Sequence, residues 1–70
     1  MRSHPTHAAL SQAIDEYEAA LFAGAFGSVE ARIRSDCIRS KVTEAQRVGL
    51  LPLSLMQDLL TRLELIHLYR

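Results

Sequence analysis

Seventy residues with eight basic and eight acidic side chains set the scale of one small, uncharged domain, whose core supplies only ~3–5 kcal/mol without staples. One cysteine, Cys37, excludes an intramolecular disulfide, and the cancelled charge removes the long-range field that a nucleic-acid or anionic-membrane binder exploits. No apolar run approaches the ~18 residues of a membrane span, and Ser3, His4, Pro5, Thr6 and His7 lack the apolar core of a secretion signal, so a cytoplasmic protein prone to self-association is expected.

The first helix is expected over about 5–23. Pro5 suits a first turn, with Ser3 or His4 outside it as the cap. Leu10, Ile14, Tyr17 and Leu21 step by four, three and four residues into one narrow apolar seam, and alanines at 8, 9, 13, 19 and 20 let another helix come close. Gly24 and Gly27 bracket a turn, within which Phe26 should fold back over the end of the core.

The second helix is expected over about 28–48, capped by Ser28, with Glu30 favouring the positive end of its dipole. It carries two apolar stripes, Val29, Ile33, Cys37 and Val48 on one and Ala31, Ile38, Val42 and Ala45 on the other, with Arg34 and Lys41 between them. Two stripes imply two neighbours, and a place on one of them makes Cys37 a buried, inert thiol. A fresh helical start at Ser35 and Asp36 stays open. Gly49 reads as the left-handed residue past the helix end, with Leu50 folding back on Ala45. Residues 1–28 carry a net charge of −2 and residues 29–49 one of +2, which favours antiparallel packing of the two segments.

The third helix is expected over about 52–69. Pro52 at its first position and a Ser54–Gln57 capping box are equal candidates for its start. Met56, Leu59, Leu63 and Ile66 form its stripe and Leu55 and Leu60 widen it, while Leu65, Leu68 and Tyr69 fall outside and leave the last turns apolar almost all round. No alternating strand pattern occurs. The fold expected is all-α, a small antiparallel three-helix hairpin or bundle, forming a homodimer through its third helices.

The nearest motif is a helix-turn-helix in which Ala45, Val48, Gly49, Leu50 and Leu55 fit, but Glu44 and Asp58 stand at apolar positions and Leu53 to Leu60 contains no Arg, Lys or Asn to read bases. His4 and His7 lack a carboxylate or thiol partner and read as a solvated first turn, and His67 as a boundary residue. No nucleophile, base and oxyanion donor can be assembled, so neither enzyme activity nor a metal or cofactor is expected. Ser11, Gln12, Ile14 and Asp15 resemble the Ser-Gln-x-Leu-Asp signature of small sporulation phosphatases over five residues, but Glu16, Tyr17 and Glu18 do not continue it.

In length and all-helical build the chain resembles the small phage- or plasmid-encoded proteins that silence a host factor, such as anti-activators of transcriptional regulators, and also the tiny helical chaperones of secretion systems. The resemblance implies a non-enzymatic protein that binds and inhibits or sequesters a larger one through leucine-rich helix faces. Leu65, Leu68 and Tyr69 are the expected anchors and Arg32 and Arg39 the rim charges. The alternative is a dimeric DNA-binding regulator using the basic middle helix, whose binding would fall steeply with salt.

Overall fold

A computed structural model describes residues 5–68. They form three helices, α1 (Pro5–Phe22), α2 (Ser28–Arg47) and α3 (Leu53–Leu68), each packed against the other two. The described part of the chain is all-α. Ser3, His4 and Tyr69 lie outside it, so the expected cap of the first helix and one expected anchor are not placed.

The apolar seams become the core. Leu10, Ile14, Tyr17 and Leu21 of α1, Ala31, Val42 and Ala45 of α2, and Leu59, Leu63 and Ile66 of α3 are all buried, and Leu51 plugs them from the α2–α3 turn. Ile38, Leu55, Met56 and Leu60 pack around this cluster half-buried. Each fully buried leucine or isoleucine contributes about 1.5–3 kcal/mol relative to exposure, which makes Ile14, Leu21, Leu59 and Leu63 the chief apolar stabilisers.

Both turns are set by glycine. Gly24 (φ +77°) and Gly49 (φ +84°) take the left-handed conformation. Around Gly49, the Leu50 amide donates to the Ala45 carbonyl at 2.8 Å and the Gly49 amide to that of Gln46 at 3.1 Å, the two bonds of a Schellman motif. Ala25 to Ala20 and Gly24 to Leu21 repeat the pattern at the end of α1. Phe26 folds back as expected, its ring centroid 5.9 Å from that of Tyr17 and stacked on it, with the Arg34 guanidinium over the Phe26 ring at 4.9 Å from its centroid.

Two local expectations are corrected and one open alternative is closed. Ser28 is not the cap of α2: Gly27 holds that position with extended backbone and no side-chain cap bond, and Ser28 is the first helical residue. The helix makes no fresh start at Ser35, because that residue is buried inside one continuous α2. Cys37 is exposed rather than buried. One stripe suffices to cover α1 and α3, so Ala31, Ser35, Val42 and Ala45 turn inward and the stripe of Val29, Ile33, Cys37 and Val48 is left outside. At α3, Pro52 lies just before the first helical residue, and its carbonyl accepts from the Met56 amide at 3.0 Å.

Among the described residues the opposite charges of the first two segments do not meet as ion pairs. Among the described residues the pair that crosses between helices joins α1 to α3: Arg62 contacts Asp15 and donates to Ser11 Oγ at 2.6 Å. Arg34 instead pairs with Glu30 one turn back in its own helix, at 3.2 Å.

Candidate functional site

The last turns of α3 carry the expected apolar anchors in different surroundings. Leu65 is 43 % exposed, and Leu68, three residues on, is 75 % exposed. Leu65 shares a depression of about 270 Å³ with Glu18, Phe22, Arg62 and Ile66. Phe22, the last residue of α1, is also exposed, so an aromatic that the periodicity of α1 gives no reason to single out stands beside the predicted leucine. Its position just after buried Leu21, at the helix end, is the sequence signal that identifies it.

Arg32 and Arg39 lie on a different surface. They are exposed, and among the described residues neither makes an ion pair, in contrast to Arg34, Arg47 and Arg62. Both border a depression of about 320 Å³ together with Ser28, Ser35, Asp36 and His67. The predicted residues are thus brought to two patches at the α3 end of the molecule, Leu65 towards α1 and the arginines towards the flank of α3 that carries His67. His67 is exposed as a boundary residue should be, yet its Nε2 lies 3.0 Å from Tyr17 Oη, a contact that links the last turn of α3 to the middle of α1.

A third surface follows from the unburied stripe of α2. Ile33 and Cys37, with Phe26 and Ala20, belong to the apolar lining of a groove of about 620 Å³ between α1 and α2, edged by Glu16, Glu30, Arg34 and Lys41. Val48, Leu50 and Leu53 are exposed around the second turn. Val48 and Leu50 are positions that a helix-turn-helix buries, so their exposure removes the packing on which that motif depends. Among the described residues no three His, Cys, Asp or Glu side chains converge on a metal position, and no helix is long and apolar enough to cross a membrane.

No family model, curated protein or solved structure matches this chain.

Proposed function

We propose that the chain is a small non-enzymatic interaction protein, an antiparallel three-helix bundle that pairs as a homodimer and binds and inhibits or sequesters a larger protein, such as a transcriptional regulator. The observation that carries this reading is the exposure, among the described residues, of eight large apolar side chains, Phe22, Val29, Ile33, Val48, Leu50, Leu53, Leu65 and Leu68. Contact of His67 with Tyr17, and its place beside Ser28 and Arg32, support the antiparallel arrangement, since they set the end of α3 against the start of α2. Leu65 and Leu68, joined by Phe22 and by Tyr69 outside the described residues, are the anchors, and Arg32 and Arg39 are rim charges that steer association more than they hold it. A cytoplasmic place and the absence of a cofactor belong to the same reading.

Affinity capture from host lysate tests it, using the tagged protein and its L65S/L68S variant with and without nuclease. One dominant protein, retained at high salt and after nuclease but lost with the variant, is the expected result. Recovery of nucleic acid, or of partners that vanish with nuclease, contradicts it. The unpaired state of Arg32 and Arg39 favours a second reading, a dimeric DNA-binding regulator, which requires affinity to drop steeply as salt rises, whereas a leucine-lined protein interface hardly responds.

A further inference from the structure

Where the first half of α2 meets the last turn of α3, the depression of about 320 Å³ has a buried hydroxyl in its lining. Ser35 is 4 % exposed, and its side chain has no hydrogen-bond partner among the described residues. Two threonines on this chain turn back on their own helix: Thr43 donates to the Arg39 carbonyl and Thr61 to the Gln57 carbonyl, each at 2.8 Å. The corresponding acceptor for Ser35 is the Ala31 carbonyl, which already receives the Tyr17 hydroxyl at 3.1 Å. A buried polar group left in this state is unfavourable unless something else in the depression pairs with it.

The charges around it indicate what that is. Arg32 and Arg39 make no ion pair among the described residues, although Asp36 lies between them on the same helix, and the three leave the α2 part of the lining at a net +1. His67 borders the depression with Nε2 committed to Tyr17. Ser28 adds a second hydroxyl at the start of a helix whose cap, Gly27, supplies no side-chain bond. Two guanidinium groups and two hydroxyls are an array of donors. It suits a tetrahedral oxyanion, whose oxygens accept from several directions, better than a carboxylate with two oxygens, and it does not suit a cation.

We propose that this depression binds a phosphate monoester dianion, with Ser35 donating to a phosphoryl oxygen and Arg32 and Arg39 balancing the charge. The inference does not rest on the leucine surface, and either can fail without the other.

Titration of isotope-labelled protein with inorganic phosphate, and in parallel with O-phosphoserine, at fixed ionic strength against chloride, tests it through backbone amide shifts. Saturable shifts confined to the surroundings of Ser28, Arg32, Ser35, Arg39 and His67 are expected. Both probes should saturate if the phosphoryl group suffices, and phosphoserine alone if its carrier is also held. R32Q and R39Q, at exposed positions that leave the fold intact, should each weaken binding about tenfold, as should S35A. Shifts that grow linearly, that chloride reproduces, or that are as large at Lys41 and Arg47 overturn the proposal. So does an S35A protein that binds as tightly as the parent, or saturable binding of a short DNA duplex with no response to either monoester probe.

Discussion

The Tyr17 hydroxyl donates to the Ala31 carbonyl at 3.1 Å while His67 Nε2 lies 3.0 Å from Tyr17 Oη, so one phenol on α1 engages both α2 and α3. Tyr17 is 4 % exposed, and its ring stacks on Phe26 from the first turn. Loss of the hydroxyl in Y17F should cost about 1 kcal/mol and keep the fold. S35A removes a buried, unpaired hydroxyl and should stabilise the free protein by about 1 kcal/mol. The two are coupled: without Tyr17 Oη the Ala31 carbonyl is open to Ser35, so S35A should gain less in the Y17F background. Urea unfolding of the four proteins of this cycle measures the coupling, and strict additivity would refute the shared acceptor.

Leu59 and Leu63 are fully buried in α3, whereas Leu65 and Leu68 are not. L59A should therefore cost about 2–5 kcal/mol, comparable to the whole stability of so small a domain, and leave the chain largely unfolded by far-ultraviolet circular dichroism at room temperature. A folded L59A protein of near-parental stability would place the core elsewhere.

Cys37 is a free, exposed thiol. It should react with a thiol reagent such as Ellman's at nearly the same rate in the native monomer as in urea. Strong protection in dilute solution, where association is absent, would restore the buried position that its apolar neighbours on the helix suggested.

The φ of +84° at Gly49 is a strained value for any residue with a Cβ, although nothing lies within 4 Å of where that atom would be. G49A should destabilise by about 1–2 kcal/mol through backbone strain alone. G27A, at φ −73° with equally open space around its Cβ, lacks this strain and should cost less, so thermal melts of the pair isolate the contribution of the left-handed backbone.

Much of this fold was legible because helical periodicity reports burial directly. The seam of Leu10, Ile14, Tyr17 and Leu21 is the buried face of α1, and Leu59, Leu63 and Ile66 are that of α3. The glycine turns were legible because left-handed backbone has few other occupants. Helix α2 was ambiguous, since two apolar stripes fit its sequence equally and only the positions of α1 and α3 select the one through Ala31, Val42 and Ala45; Cys37 was misplaced for that reason. The surface around Ser35 was hidden for another: a serine on a helix gives no sign that its i−4 carbonyl is taken by a tyrosine fourteen residues before that carbonyl. Nor does periodicity reveal pairing across helices, as between Arg62 and Asp15.

On the proposed function, the leucines at the end of α3 are a surface for association rather than part of the monomer core. Sedimentation velocity of the parent and L65S/L68S proteins over a wide concentration range, with circular dichroism on the same samples, tests this directly. A parent that dimerises and a variant that stays equally helical but sediments as a monomer is the predicted result. A variant that unfolds, or one that dimerises as well as its parent, would contradict it.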